Sequence, residues 1–168
     1  MLAVNKPGGM LTQSSGLNTF NLEDWAREWV RLEKKKSGSI YLHAVHRLDR
    51  KVSGVVLFAR TSKALGRLNT SIKKNECQKI YHAWVEGVPK KQVATLQNYI
   101  RHGCHRAEIV TQDNHQSKLA TLHYKFIRSE DKYSLLQIEL VSGRYHQIRA
   151  QLAALGHPIK GDVKYGAN

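Results

Sequence analysis

The feature that most constrains this chain is a charged loop followed at once by an apolar run. The loop at residues 46–51 reads HRLDRK, and the run at residues 54–59 reads GVVLFA. A short run rich in valine and phenylalanine, entered from Ser-Gly, is typical of a buried strand. Asp49 therefore precedes a core strand, where a rigid scaffold can hold a loop residue as catalysis requires. The alternative is a surface ion pair of Asp49 with Arg47 or Arg50.

The charge of the chain indicates its class of partner. Among 168 residues there are 27 Lys and Arg against 13 Asp and Glu, which gives a net charge of +14. Salt-dependent binding to a polyanion is the natural use of this excess, and a basic surface kept for solubility is the alternative. No apolar run approaches ~18 residues, so we expect no membrane-spanning helix and no membrane partner. The length suits one domain with its own core.

The two cysteines, Cys77 and Cys104, have no C-x-x-C partner. Free thiols in a reducing cytoplasm are the simple interpretation. His102, Cys104 and His105 suggest a metal site, but a structural zinc ion needs four convergent ligands and only His115 lies nearby to add. We therefore expect no metal.

The first half of the chain predicts a strand into a turn at residues 2–9, a loop at 10–20 and two helices. Asn21 is placed to cap the first helix, and Ser62 the second. Lysines and serines at residues 34–39 predict a basic loop after the first helix. The first helix has an apolar face that we expect to be core, with base stacking by its two tryptophans as the alternative. The face comprises Leu22, Trp25, Ala26, Trp29, Val30 and Leu32.

The second half predicts strands at residues 79–86, 119–127 and 133–141, with a polar loop or irregular hairpin over 90–118. In the last strand Leu136, Ile138 and Leu140 share one face. A helix is expected from about Tyr145, with Gly156 just after its end. This pattern puts Arg144 at a strand-to-helix junction.

Four segments, in order along the chain, resemble the motifs of the RluA-type pseudouridine synthases. The segment around Asp49 resembles the family's H-R-L-D-x-x-T/S-S-G element, and the match extends from residue 5 to residue 166. The small departures are Val52 and Ser142, where the family often has Thr. The segments are NKPGG at 5–9, HRLDRKVSG at 46–54, KIYHAWVEG at 79–87, and SGRYHQIR at 142–149 with LGHPI at 155–159 and GD at 161–162.

The resemblance implies an α+β protein with the pseudouridine-synthase fold: a mostly antiparallel, curved mixed sheet with flanking helices and a central basic cleft. It implies one catalytic domain over residues 1–168, of the short form without an S4 domain, lacking some terminal elements that relatives have. The expected activity is isomerisation of uridine in structured tRNA or rRNA, in the cytoplasm, by a monomer that needs no cofactor.

By the same resemblance, Asp49 is the nucleophile, Tyr81 packs on the uracil, and Arg144 is the cation beside Asp49. An ordinary strand aromatic is the alternative for Tyr81. Arg47 matches the arginine that fills the space left by the flipped base. Structural ion pairs remain the alternative for Lys6, Lys79 and Arg149. The predicted RNA-binding residues are Arg47, His46, Lys6, Arg149 and Lys79.

Two other functions were weighed. One is an RNA-binding protein that keeps the fold without the catalysis. The other is a hydrolase using Ser53, His46 and Asp49, which the absence of a G-x-S-x-G elbow disfavours. For the synthase, attack at the ribose C1′ and at the uracil C6 both stay open.

Overall fold

The computed structural model describes residues 1–16, 20–35, 37–111 and 115–168. The chain divides into two compact units, Met1–Cys77 and Gln78–Asn168. Within the described ranges, no helix is both long and apolar enough to cross a bilayer. The single catalytic domain over residues 1–168 stays a prediction. The predicted loops at 10–20 and 34–39 include residues 17–19 and 36, which lie outside the described residues.

The described residues of the first unit form a small antiparallel sheet and two helices. Its strand order is β1-β3-β2, so β3 is central and pairs with both neighbours. The predicted strand at 54–59 is β3, in which Val56, Phe58 and Ala59 are fully buried. The elements are β1 (Leu2–Lys6), α1 (Leu22–Glu33), β2 (His43–Ala44), β3 (Gly54–Ala59) and α2 (Ser62–Lys73).

Both helices of this unit begin with a side-chain cap. Asn21 accepts a hydrogen bond from the Asp24 amide at 3.1 Å, as predicted for α1. At α2 the cap is Thr61, one residue before the predicted Ser62, and it accepts from the Ala64 amide at 3.1 Å. Each cap satisfies an amide that has no partner within the helix.

The apolar face of α1 is narrower than predicted. Leu22, Ala26 and Val30 are buried and form a stripe at i, i+4 spacing. The prediction of a core position was wrong for Trp25 and Trp29, which are 42% and 44% exposed, and for Leu32. This single stripe packs against the core. Trp25 and Trp29, which lie about 100° round the helix from Ala26 and Val30, remain at the surface.

The second unit is built on a five-stranded antiparallel sheet with the order β4-β8-β7-β5-β6. Every pairing between its named strands is antiparallel in the described residues. Its strands are β4 (Ile80–Glu86), β5 (Val93–His102), β6 (Ala107–Val110), β7 (Ser117–Glu130) and β8 (Tyr133–Leu140), followed by α3 (Gln147–Ala154) and a 3-10 helix (Val163–Tyr165).

Residues 90–118, predicted as a polar loop or irregular hairpin, contain the long strand β5 and its partner β6. The strand was hard to recognise because its half-buried positions Ala94 and Leu96 are followed by the polar Asn98. The Asn98 side-chain oxygen accepts a hydrogen bond from Gln151 of α3 at 2.8 Å. This polar pair breaks the alternating pattern of the strand, and the Gln151 side-chain oxygen is left buried without a hydrogen-bond partner among the described residues.

The core of the second unit lies between this sheet and α3. The predicted inward face of β8 is confirmed: Leu136 and Ile138 are fully buried, and Leu140 packs beside them. Leu122 of β7 and Leu152 of α3 complete the cluster. With three α-helices and antiparallel sheets in the described part of the chain, the molecule has the predicted α+β architecture. The central basic cleft stays a prediction.

Two leucines test this core. Leu136→Ala should lower the free energy of unfolding by about 2–5 kcal/mol, because it removes buried methyl groups and leaves a cavity. Leu119→Ala is the matched control, since Leu119 is also a strand residue but 46% exposed, and it should change stability by less than about 1 kcal/mol. Urea titration followed by circular dichroism measures both. Equal losses would contradict the described burial.

Candidate active site

Asp49 lies in a tight loop immediately before β3. Its carbonyl accepts a hydrogen bond from the Val52 amide at 3.0 Å, which closes a turn. Leu48 is 9% exposed and anchors the loop inward, whereas Arg47 and Arg50 are exposed. Asp49 itself is half-buried, between the buried Leu48 and the exposed Arg50. The loop thus presents one carboxylate from a rigid base, beside two arginines.

Thr12 holds the peptide unit on the N-terminal side of Asp49. The Thr12 hydroxyl accepts from the Leu48 amide at 3.1 Å and donates to the Leu48 carbonyl at 3.0 Å. Thr12 is only 3% exposed, and its own carbonyl accepts from the Glu23 amide at the start of α1. One buried hydroxyl therefore satisfies both backbone groups of the residue before Asp49. Sequence analysis missed Thr12, because a single threonine in a loop has no pattern to reveal its partner.

Lys6 and Gly9 hold the residue that follows Asp49. The Lys6 ammonium donates to the carbonyls of Arg50, Met10 and Pro7 at 3.2, 2.8 and 3.0 Å. The Gly9 amide donates to the Arg50 carbonyl at 2.8 Å, and Arg50 Nε donates to the Gly9 carbonyl at 2.9 Å. The NKPGG and HRLDR segments, far apart in sequence, are thereby joined into one structure around Asp49.

The glycines of the NKPGG segment permit this approach. A Cβ atom on Gly8 would lie 3.1 Å from the Lys51 carbonyl oxygen, which is too close for most side chains. Gly9 has a φ of +90°, in the left-handed region that favours glycine. The segment can therefore run alongside the Asp49 loop without steric conflict.

The electrostatic environment of Lys6 includes Asp49. Burial lowers the pKa of the Lys6 ammonium from its ordinary value, and the negative charge of Asp49 raises it in part. The Lys6 side chain has no exposed surface, so the predicted direct RNA contact is not supported and the structural alternative is favoured.

His46 contacts the strand that follows the loop. Its Nε2 accepts a hydrogen bond from the Leu57 amide at 3.3 Å, which requires that nitrogen to be unprotonated. Burial lowers the pKa of the His46 imidazole below its ordinary value. His46 therefore acts as a neutral acceptor that joins the loop to β3. RNA contacts by His46 and by the exposed Arg47 stay predictions.

In the second unit, Lys79 directly precedes β4 and Tyr81 lies at the start of that strand. Tyr81 is paired with Ile138 of β8 and packs, half-buried, against the core of that unit. The Lys79 carbonyl accepts from the Leu140 amide at 2.9 Å, and its side chain is half-buried. The sheet thus holds both residues in defined positions, and their predicted roles toward RNA stay predictions.

Arg144 lies between β8 and α3, at the predicted junction, and is exposed. Its Nε donates to the Leu119 carbonyl at 3.2 Å, and its amide donates to the side-chain oxygen of Gln147 at 3.0 Å. The same oxygen accepts from the Ser142 hydroxyl at 2.9 Å. Gln147, which sequence analysis did not single out, is buried and organises this turn.

Arg149 forms a two-pronged ion pair with Asp162. Its Nε and Nη2 donate to the two carboxylate oxygens at 2.6 and 2.7 Å. Both side chains are largely buried. Of the two alternatives for Arg149, phosphate contact and structural ion pair, the structure favours the ion pair.

Cys77 and Cys104 are free and exposed. Over the described ranges, no three His, Cys, Asp or Glu side chains come together to hold a metal ion. In the suggested cluster, Cys104 Sγ lies 3.5 Å from His105 Nε2.

The predicted site residues are distributed over the two units. The first unit contains Lys6, His46, Arg47 and Asp49, and Lys6 and Asp49 interact electrostatically within it. The second unit contains the predicted partners of Asp49, which are Tyr81 and Arg144, together with Lys79 and Arg149. The pairing of Asp49 with Arg144 stays a prediction.

The double role of the Thr12 hydroxyl can be tested by substitution. Thr12→Val keeps the shape but leaves the amide and carbonyl of Leu48 without a partner, which should cost about 1–3 kcal/mol in the free energy of unfolding. Thr12→Ser, which keeps the hydroxyl, should lose less than half of that. Chemical denaturation of both variants measures the difference. A Val variant as stable as the Ser variant would contradict this role.

The His46 environment predicts a pH dependence. Because the folded pKa lies below the unfolded value of about 6.5, unfolding takes up a proton in acid. The stabilisation is fully present above the unfolded pKa and is lost as the pH falls through the folded pKa. The free energy of unfolding, measured from about pH 8 to 5, should therefore fall more steeply for wild type than for His46→Gln. Parallel curves would contradict this assignment.

Comparison with known proteins identifies the family. Residues 1–154 match the family described as RNA pseudouridylate synthase. A Rickettsia conorii protein named ribosomal large subunit pseudouridine synthase C is 35% identical over 99% of this chain and 54% of its own length. A Bacillus subtilis protein named uncharacterized RNA pseudouridine synthase YhcT is 32% identical over 99% of this chain and 55% of its own. The chain thus spans about half the length of these relatives.

Solved structures show the same fold. Human RNA pseudouridylate synthase domain containing 4 superposes with a TM-score of 0.83 at 21% identity, over 97% of this chain and 64% of that one. Human RNA pseudouridylate synthase domain containing 1 gives a TM-score of 0.73 at 23% identity, over 98% and 65%. Together with the family match over most of the sequence, these findings establish that the chain belongs to the RNA pseudouridylate synthase family.

Proposed function

We propose that this chain is an RNA pseudouridine synthase that isomerises specific uridines in structured RNA, with Asp49 as the nucleophile. The observation that supports this most strongly is the way in which Asp49 is held. The residue before it is fixed by Thr12, and the residue after it by Lys6 and Gly9. A half-buried carboxylate on a loop immobilised from both sides is suited to attack a positioned substrate.

The reaction needs a charged carboxylate and no external reactant. The N–C glycosidic bond of uridine breaks, the uracil turns over, and a C–C bond forms at its carbon 5, whose proton is released while N1 gains one. Product and substrate have the same atoms. Asp49 would form a transient covalent bond at the ribose C1′ or at the uracil C6, and both remain open. We propose that no metal or cofactor takes part.

Other residues are proposed to assist this step. Arg144 would be the cation that stabilises the Asp49 carboxylate during the reaction. Tyr81 would pack on the uracil and assist removal of the proton at carbon 5. Arg47 would occupy the space left by the flipped base, where unstacking costs a few kcal/mol. The exposure of Arg47 and Arg144 is compatible with contact to RNA.

The proposed substrate is a stem-loop of rRNA or tRNA. The names of the relatives refer to the large ribosomal subunit, which favours rRNA for this chain. The net charge of +14 suits a polyanion, and unpaired loop nucleotides are the usual targets of specific RNA recognition. We propose that one catalytic domain, as a monomer, performs the reaction. A cytoplasmic location stays a prediction.

A catalytically silent RNA-binding protein is the second candidate. The net charge of +14 and the exposed Arg47 and Arg144 would serve RNA binding whether or not Asp49 reacts. An enzyme and a silent binder differ in turnover and agree in RNA affinity, so the two must be measured together.

Tritium release from RNA labelled at carbon 5 of uridine tests the proposal. Wild type should release tritium from total RNA, and Asp49→Asn should reduce the rate by about a thousandfold or more, because the nucleophile is lost. RNA affinity of the variant should stay within a few-fold of wild type. Asp131→Asn, which replaces an exposed carboxylate in the β7–β8 turn, is the matched control and should react like wild type.

The outcomes separate the two candidates. Turnover by Asp49→Asn at the wild-type rate would exclude Asp49 as the nucleophile. Absence of release by folded wild type that still binds RNA would favour the silent protein. Thermal melting of each variant ensures that a lost rate is not lost folding.

A further inference from the structure

Three aromatic rings form a continuous stack beside Arg144. The ring of His102, at the end of β5, stacks on Tyr145 with centroids 4.3 Å apart and planes inclined by 30°. Tyr145 also stacks on His146, with ring centroids 3.8 Å apart and planes inclined by 19°. We call these three residues the ring stack. Tyr145 directly follows Arg144, so the ring stack lies next to a residue already proposed to act in the reaction.

The inner end of the ring stack is fixed by a hydrogen-bond network. Arg149 Nη1 lies 2.9 Å from His146 Nε2, and since a guanidinium only donates, this nitrogen is an acceptor. The proton of the neutral ring is therefore on Nδ1, which donates to the Tyr165 hydroxyl at 3.0 Å. That hydroxyl also accepts from the Ala107 amide at 2.7 Å, while Asp162 orients Arg149. The ring of His146 cannot rotate without breaking this network.

The outer end of the ring stack is open. His102 is exposed, and in the part of the chain that the structure describes, Tyr145 is the one ring stacked on it. Tyr145 itself remains 42% exposed although it stacks on both His102 and His146. The outer face of His102 is thus held in place by rings anchored below it. A further flat ring could add to the stack with little loss of conformational freedom in the protein.

The charge around His102 favours an anionic ligand. The β5–β6 hairpin, Val93–Val110, contains Arg101 and Arg106 against a single acid, Glu108. Arg101 Nη2 donates to Glu108 at 2.6 Å, and Arg106 is exposed. A ligand that offers both a flat ring and a phosphate matches the combination of an open aromatic face with nearby basic side chains.

We propose that His102 is a stacking site for an unpaired base of the RNA substrate, with Arg106 contacting the adjacent phosphate. This inference rests on the proposed RNA substrate and adds a specific contact outside the residues assigned to the reaction. The stack would hold a nucleotide beside Arg144. Base stacking on a ring is tolerant of sequence, so this site would contribute affinity and register more than choice of base.

The test uses single-stranded RNA that contains a fluorescent adenine analogue, whose emission is quenched when it stacks on a ring. Wild type and His102→Phe, which keeps a ring, should quench the analogue. His102→Ala should lose most of the quenching and bind the RNA about fivefold or more weakly, the effect of losing about 1 kcal/mol of stacking. His82→Ala is the matched control, because it removes an exposed histidine from the edge strand β4, which β8 and β7 separate from β5.

Salt dependence separates stacking from charge. The affinity of His102→Ala should fall with salt along a line parallel to that of wild type, because no phosphate contact is lost. Arg106→Gln should instead reduce the slope by about one. Inorganic polyphosphate, which has charge but no rings, should bind wild type and His102→Ala equally.

Several results would overturn the proposal. If folded His102→Ala quenches and binds like wild type, His102 is not a stacking site, and the proposed catalytic function is untouched. If His102→Phe fails as His102→Ala does, with both folded, stacking is not the interaction. If wild type binds no RNA and releases no tritium, the proposed function fails, and the stacking site fails with it.

Discussion

The arrangement of the first unit depends on one buried cation. The Lys6 ammonium is removed from water, and a buried charge is costly unless it is hydrogen-bonded. Here three carbonyls accept from it, one of them from Arg50, the residue after Asp49. The cation therefore requires the NKPGG segment and the Asp49 loop to lie against each other. Thr12 completes the arrangement from the other side, so the position of the carboxylate follows from buried hydrogen bonds rather than from surface charges.

In the second unit, the backbone pairing of an antiparallel sheet fixes the positions of residues in its strands and in the turns that follow them. β4 presents Tyr81 in register with β8, and the end of β8 leads directly into the turn that holds Arg144. In that turn, the Arg144 amide donates to the Gln147 side chain, and the Arg144 guanidinium donates to the Leu119 carbonyl. The aromatic rings that follow Arg144 are ordered by the same helix start. The strands of this sheet thus fix the backbone positions from which the side chains of Tyr81 and Arg144 extend.

The elements that could be predicted from the sequence are those determined by interactions between residues close together in the chain. The apolar run at 54–59 correctly predicted a buried strand, and Asn21 correctly predicted the start of a helix. The alternation around Leu136 correctly predicted the buried face of β8. Family motifs identified Asp49, Tyr81 and Arg144 as candidates, and their roles stay predictions.

The features that were missed depend on partners distant in sequence. The strand β5 was not predicted because the polar Asn98 interrupts its apolar pattern, and its partner Gln151 lies on α3. Trp25 is exposed because a single stripe of residues packs α1 against the core. Thr12 bonds to Leu48, and no local pattern reveals such a pair.

The electrostatic link between Asp49 and Lys6 has a consequence for the evolution of this loop. Catalytic groups are often held at a cost in stability, so that their loss makes a protein more robust. Here burial lowers the pKa of the Lys6 ammonium, and the Asp49 carboxylate offsets part of that shift, so the carboxylate supports the charged state of a buried group. A lineage that lost the carboxylate would also weaken its own loop. Selection for folding alone would then tend to preserve the acid, independently of any reaction in which Asp49 takes part.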